Sequence, residues 1–241
     1  MKGWRARIGF LVPPGNPTVE PEMFELAPPG VSVHFTRMTA HGAAGTHEGQ
    51  DDRNRSQIES LDACLELLAM VSPNVVVMAH TATSYTLGRE AEAALVARVE
   101  QQWKLRFVTA FGSVMAAFDR LGVKRIAYAT PYNEATTLKG VAHLREHGID
   151  VAGYGRLDNV RNIYEESDER AYTIARQVDR PEAEAVFLSG VGMPTLGALE
   201  VLERDLGKPV ISAASAMMWH ALRVSGVGEA VEGYGRLLRE R

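Results

Sequence analysis

An internal near-repeat constrains this chain more than any other feature. RIGFLVPPGN, residues 7–16, resembles RIAYATPYNE, residues 125–134, at an offset of 118 positions (7 against 125). Both are short apolar runs that end in a Pro-centred turn with an asparagine nearby. NVVVMAHTATS (74–84) parallels AEAVFLSGVGMPT (183–195) in the same order of buried strand, small-residue turn and helix. Further apolar runs predict strands over 31–38, 105–110, 149–155 and 208–212, so eight strands alternate with amphipathic stretches. Helices are predicted over 51–70, with Ile58, Leu61, Leu65 and Leu68 on one face, and over 89–104, 133–147, 168–178 and 196–206, with one or two more from Ala213. Strands alternating with helices imply parallel sheets covered on both faces. The expectation is two similar α/β halves, about 1–112 and 113–241, the last helix crossing back to the first. Ligands in such sheets sit beyond the carboxyl ends of the strands. Two facing halves would set the Pro13, Thr83, Pro131 and Ser189 turns around one cleft.

Composition narrows the function classes. The 241 residues fit one large domain or two small ones, and 46% hydrophobic with 23% charged residues argues against disorder. With 26 Lys and Arg against 30 Asp and Glu, the net charge is −4. That charge gives no footprint for nucleic acid and no polybasic membrane anchor. No apolar run approaches the roughly 20 residues of a membrane span, and the N-terminus lacks the apolar length of a signal peptide. A soluble, cytoplasmic protein is expected. One cysteine, Cys64, excludes an internal disulfide framework and any multi-cysteine metal site. It falls inside a predicted helix near the apolar stripe, where a buried thiol is the expectation.

Four strand-end turns carry the candidate chemistry. In His80-Thr-Ala-Thr-Ser-Tyr85, the hydroxyls of Thr81, Thr83 and Ser84 either cradle a carboxylate or phosphate where a helix begins or simply cap that helix. In Ser189-Gly-Val-Gly-Met-Pro-Thr195, Gly190 and Gly192 permit close backbone approach to a ligand. This is G-x-G-x-x-T with no acidic residue about 20 positions on, which excludes a nicotinamide or flavin site. Tyr132, in Thr130-Pro-Tyr-Asn133, either donates to a ligand oxygen or covers the core. Asn16, after Pro13-Pro-Gly, either orients a ligand or satisfies its turn. His80 is the side chain best suited to acid or base work near neutral pH, against a structural role. His41 and His47 have no recognised metal spacing; their loop reads as solvated, with a helix cap at Asp51 or Asp52.

These residues resemble a known family. IGFLVPPGNPTVEPEM, VVVMAHTATS, YATPYN and PVISAASAMMWHALRVSGV are similar to the first-strand turn, the two catalytic turns' settings and the C-terminal signature of the maleate isomerase and arylmalonate decarboxylase branch of the aspartate/glutamate racemase superfamily. The similarity spans essentially the whole chain. It implies a pseudo-twofold pair of flavodoxin-like halves, an active site between them, no cofactor and no metal, and a homodimer or higher homo-oligomer. It also implies one cysteine in each catalytic turn for racemases and isomerases. Here Ala82 is taken as the first of those positions and Gly190 as the second, and neither residue can exchange a proton or add to an alkene. The decarboxylases' oxyanion machinery carries over to Thr83, Ser84 and Tyr132 with backbone donors near Gly190 and Val191, and Pro14, Asn16 and Asn133 lining the cleft. The single proton-donating cysteine of the decarboxylases falls at Gly190, which leaves His80, Tyr85, Ser189 or a water as its substitute.

Three functions fit this pattern. One is a cysteine-free lyase or decarboxylase acting on a small carboxylate or dicarboxylate, with donors set to stabilise an enolate-like oxyanion. Another is a hydrolase of a small amide, imide or lactone on the same scaffold. The third is a carboxylate-binding protein without catalysis. The Gly-rich segment Ala40–Gln50 is the candidate lid.

Overall fold

The alternation of apolar runs and helical stretches produces two sheets with the same wiring. The computed structural model describes residues 2–42 and 45–240. Among them, β1 (Ala6–Val12), β2 (Val31–Arg37), β3 (Val75–Met78) and β4 (Arg106–Thr109) form one parallel sheet in the order β2-β1-β3-β4. β5 (Arg125–Thr130), β6 (Asp150–Arg156), β7 (Ala185–Leu188) and β8 (Val210–Ser212) form a second in the order β6-β5-β7-β8. Every pairing is parallel.

The helices are α1 (Val19–Leu26), α2 (Gln50–Glu59), α3 (Leu61–Ala69), α4 (Thr81–Leu87), α5 (Arg89–Trp103), α6 (Ala110–Leu121), α7 (Glu134–Glu146), α8 (Asp168–Val178), α9 (Leu196–Leu206), α10 (Ala213–Val224) and α11 (Arg236–Arg239). None is long and apolar enough to cross a membrane. Because strand side chains alternate between faces, β1 and β3 serve two cores. Leu11, Val76 and Met78 pack outward with Leu61, Leu65 and Leu68 of α3 and with Leu95 and Val99 of α5. Ile8, Phe10, Val75 and Val77 face a larger core that continues into the second half through Ile126, Tyr128, Val186 and Leu188. Helix α10 packs on α6, on α1 and on β3 of the first sheet.

Three features depart from the periodicity. The helix expected over 51–70 is interrupted at Ser60, whose hydroxyl donates to the Gln57 carbonyl and accepts the Thr39 amide. Helix α1 was hidden by the Pro/Gly cluster before it; its Pro21 falls in the first turn, where a missing N–H costs nothing. Helix α6, capped by Thr109, was not among the expected helices, although Phe111, Val114, Ala117 and Phe118 recur on one buried face. The cap of α2 is Gly49, and Asp51 sits inside the first turn, bonded to Lys139 and Thr86.

The segment after β1 ties the two halves together. Asn16 Nδ2 donates to the Val191 carbonyl (2.9 Å) and Thr18 Oγ1 to the Gly192 carbonyl (2.9 Å). Glu22 of α1 accepts the Thr195 and Leu196 amides (2.8 and 3.2 Å) at the start of α9. Burial pushes the Glu22 carboxyl up from 4.5 to about 7, against the two amide bonds that favour its ionised form. An acid that binds its proton more tightly in the native state contributes stability fully below pH 4.5 and loses it as pH rises through about 7. We expect unfolding free energy to fall by on the order of 3 kcal/mol across that window, and Glu22→Gln to remove the decline. Chemical denaturation from pH 4.5 to 8 checks this; an unchanged slope in the variant would assign the dependence elsewhere.

Candidate active site

The carboxyl ends of β1 and β3 face those of β5 and β7, and the register between strands fixes which residues correspond. Leu11 pairs with Met78 and Ala129 with Leu188. The next amide then repeats the same bond in each half: Ala79 to the Leu11 carbonyl and Ser189 to the Ala129 carbonyl, both 2.9 Å. Leu11 and Ala129 stand 118 positions apart, the offset of the sequence repeat. His80 is therefore the counterpart of Gly190, each two residues beyond its strand. Ala82 corresponds to Gly192, so the equivalence of Ala82 with Gly190 expected from the sequence is two residues out of register.

His80 precedes α4 in extended conformation and is buried. Its Nδ1 is 2.7 Å from Thr83 Oγ1. Burial lowers its pKa to about 4, and the Arg53 charge adds to the effect, so the imidazole is neutral at pH 7. It lines a narrow cavity with Pro14, Arg53, Asn54, Gln57 and Tyr164. On the opposite side Gly190 adopts φ +95°, and a Cβ there would lie 3.1 Å from the Pro131 ring and 3.2 Å from the Tyr132 hydroxyl. A side chain at 190 would meet both an unfavourable backbone region and an occupied space.

Across the cleft, Thr81 Oγ1 is 3.0 Å from the Tyr132 hydroxyl, and the Tyr85 hydroxyl is 2.9 Å from Ser189 Oγ. Tyr128 donates to Tyr85 at 3.2 Å. Burial raises the pKa of all three phenols, which keeps them protonated donors. Residues 45–50 lie along the cavity: the Gly45 carbonyl accepts the Ile163 amide (2.9 Å), and His47 Nε2 is 3.0 Å from the Pro131 carbonyl. Arg53 donates to the Thr46 and Glu48 carbonyls from below. Ala43 and Ala44 of the expected lid lie outside the described residues. Among the described residues no group of three or more His, Cys, Asp or Glu side chains is placed to hold a metal ion.

With this geometry, comparison with known proteins is decisive. The sequence pattern of the arylmalonate decarboxylase family matches residues 8–238. The chain belongs to that family. It is 33% identical over 243 residues to a maleate isomerase of Nocardia farcinica, covering 97% of this chain and 96% of that one. It is 29% identical over 245 residues to the arylmalonate decarboxylase of Bordetella bronchiseptica, with the same coverage. Its fold matches a cysteine-to-serine variant of the N. farcinica maleate cis-trans isomerase carrying a covalent succinylcysteine intermediate, with TM-score 0.89, 29% identity and coverage of 97% and 98%. It also matches a crystal structure of arylmalonate decarboxylase, with TM-score 0.81, 27% identity and coverage of 98% and 100%.

Within this family scaffold the expected site residues fall into two groups. His80 and Pro14 line the cavity, Thr83 bonds the His80 ring, and Gly190 lies against the Tyr132 hydroxyl. The rest are committed elsewhere. Ser84 donates to Glu92 (2.6 Å), away from the cleft, in a buried cluster with Thr109 and His143. Burial opposes the Glu92 charge, but those donors hold its pKa below the ordinary value. Asn133 caps α7 through Thr136, and Asn16 and the Val191 carbonyl bond each other. Ala82 is fully buried, its carbonyl accepting Asn54. Sequence reasoning missed Arg53, Asn54, Gln57 and Tyr164. The signal was there for the first three: Gln50, Arg53, Asn54 and Gln57 recur at i, i+3, i+4 and i+7, a polar stripe on a helix face, and all four are buried.

Thr83→Ala removes the partner that fixes the His80 ring, and Tyr132→Phe leaves Thr81 without its phenol. Each is expected to cost about 1–3 kcal/mol in transition-state or ligand binding, the usual consequence of an unpaired buried polar group. Steady-state kinetics or titration of a bound carboxylate measures it. Rates and affinities equal to wild type in both variants would remove these residues from the site.

Proposed function

We propose that this chain is a cofactor-independent, cysteine-independent lyase of decarboxylase type that acts on a small carboxylate or dicarboxylate, with His80 as its proton donor. The observation that carries this reading is the correspondence of His80 with Gly190. If Gly190 stands where a relative has a thiol, its counterpart His80 stands where the other thiol would be. Gly190 can transfer no proton, and His80 can. Cys64, the one cysteine, is buried on the outer face of the first sheet, 3.5 Å from the Arg37 carbonyl, with its pKa raised by burial. It offers no thiolate to the cleft.

Charge at the cavity supports the same reading. Arg53 is buried, and its hydrogen bonds go to loop carbonyls rather than to a carboxylate. A substrate carboxylate would supply the missing negative charge. It would also raise the His80 pKa, because a nearby anion favours the imidazolium. In the proposed step the C–C bond to the leaving carboxylate breaks, CO₂ departs, and the electron pair passes into the remaining carboxylate or carboxamide carbonyl as an enolate-type anion. Thr81, Tyr132 and backbone amides near Gly190 face that charge. His80, protonated on binding, returns a proton to carbon. The 40–50 segment is the lid that keeps water out while the enediolate exists.

The lid reading has its own test. Gly45 has φ +75°, and a Cβ there would fall 1.9 Å from Asn162 Oδ1. Gly45→Ala is expected to hold the segment off residues 162–164 and lower turnover at least about tenfold, since misplacement of about 1 Å costs far more than that in positioned catalysis. Unchanged turnover would exclude closure of this segment from the cycle.

Proton NMR in D₂O over arylmalonates, maleate, maleamate, cyclic imides and lactones tests the reaction. The expected product is an α-deuterated monoacid. For a reaction that needs imidazolium, kcat/KM falls with rising pH above the free-enzyme pKa of about 4, and His80→Asn loses about 10²–10⁴ in rate. A ring-opened or deamidated product would assign hydrolysis instead. Binding of a carboxylate with no turnover of any compound would leave a binding protein and remove the catalytic role of His80.

A further inference from the structure

The face that α2 turns to the cleft is unusual for a buried helix surface, since it is polar and incompletely bonded. Asn54 is 1% exposed and Gln57 is 3% exposed, one turn apart, and both line the cavity with His80. Asn54 Nδ2 donates to the Ala82 carbonyl (3.1 Å) and to Thr86 Oγ1 (2.8 Å). A carbonyl can only accept, so this bond fixes the amide with its oxygen turned the other way. Among the described residues that oxygen, Asn54 Oδ1, finds no partner, and neither does Gln57 Oε1. Buried polar atoms are rarely left unbonded, and each exception calls for a missing partner.

The partner must donate, as a water does and as a ligand N–H that displaces it would. A second carboxylate set against the fixed Asn54 oxygen would be repelled, and a methyl or aryl group would leave the oxygen unsatisfied at a full desolvation cost. A primary carboxamide supplies two N–H donors and one acceptor. It can satisfy Asn54 Oδ1 while pairing with the Gln57 amide in either orientation of that side chain. Arg53, the residue before Asn54 and 8% exposed, places a positive charge in the same cavity lining. We infer that the subsite on α2 selects, among small carboxylates, those that carry a primary carboxamide: half-amides of small dicarboxylic acids rather than the dicarboxylates or aryl acids themselves. This rests on the reading of the cleft as a small-carboxylate site and specifies the rest of the ligand.

Succinamate and levulinate test it as a pair, because they differ by NH₂ against CH₃ on the same four-carbon chain with one carboxylate. Their affinities for the full chain are compared by ligand-observed NMR titration, with succinate as the dicarboxylate control. The expected result is succinamate binding at least about tenfold tighter than levulinate and succinate, the discrimination of roughly one unpaired buried polar group. In Gln57→Leu the succinamate-to-levulinate ratio is expected to fall towards one. Among the described residues Gln57 Oε1 has no hydrogen-bond partner, and a thermal melt confirms that the variant is folded; Gln57→Met replaces it if not. Equal affinities of the wild-type protein for succinamate and levulinate would overturn the inference and leave the carboxylate site standing. A wild-type preference that survives unchanged in the variant would also overturn it, since recognition would then lie away from α2. If none of the three compounds bound, the small-carboxylate reading itself would fall.

Discussion

The site depends on one set of hydrogen bonds, running from the segment after β1 to the backbone of residues 191–196. Asn16, Thr18 and Glu22 each reach across the cleft, and each ends on a main-chain group of the β7–α9 connection. Side chain to backbone bonds of this kind fix position without depending on the identity of the partner residue. They hold Val191 and Gly192 through their main-chain carbonyls. Asn16 is doubly used: its oxygen accepts the Thr18 and Val19 amides at the start of α1 while its nitrogen crosses to the other half. Arg37 supports the same turn from behind through the Pro13, Pro14 and Asn16 carbonyls. Buried bonds of about 1 kcal/mol each thus set the separation of His80 from Gly190, on which any chemistry between the halves must rest.

The second constraint is electrostatic. On the proposed reading, a buried guanidinium bonded to the Thr46 and Glu48 carbonyls and a buried imidazole held neutral give the pocket cationic character. Such a pocket stabilises an incoming anion more than the empty protein. The same burial that suppresses the His80 proton in the free protein makes its return most responsive to that anion. Affinity and acid strength are then linked through a single charge, which is economical in a cavity this narrow.

Much of this architecture was legible in the residues. The eight strands follow from short apolar runs, and the pairing of the halves follows from the 118-residue repeat, which the observed strand register reproduces at Leu11 and Ala129. What escaped has physical causes. Helix α1 was obscured by the proline in its first turn, whereas α6 is amphipathic, with Phe111, Val114, Ala117 and Phe118 buried and Asp119 and Arg120 exposed, and was legible but not read. The site was harder to read, because a hydroxyl in a turn does not announce its direction. Ser84 and Thr83 are neighbours in sequence, yet one points to Glu92 and the other to His80. The polar stripe of α2 was passed over because burial was assumed to follow the apolar stripe, and here a polar face is buried as well.

The two halves are alike in wiring and unlike where chemistry would occur, and that asymmetry bears on stereochemistry. Racemisation needs proton exchange on both faces of one carbon, and a pseudo-twofold site with equivalent groups on both sides suits it. Here one of the two corresponding positions carries an imidazole and the other a glycine at φ +95°, where a Cβ would be strained and would crowd Pro131 and Tyr132. On the proposed reading, protons arrive from the His80 side alone. A prochiral enediolate held between the halves would then be protonated on a single face, so the product would form as one enantiomer and would not be returned to its mirror image. The glycine has a positive role in this scheme. By admitting the backbone amides and the Tyr132 hydroxyl close to the reacting carbon, it turns the second catalytic turn from a site of proton exchange into a surface that holds charge.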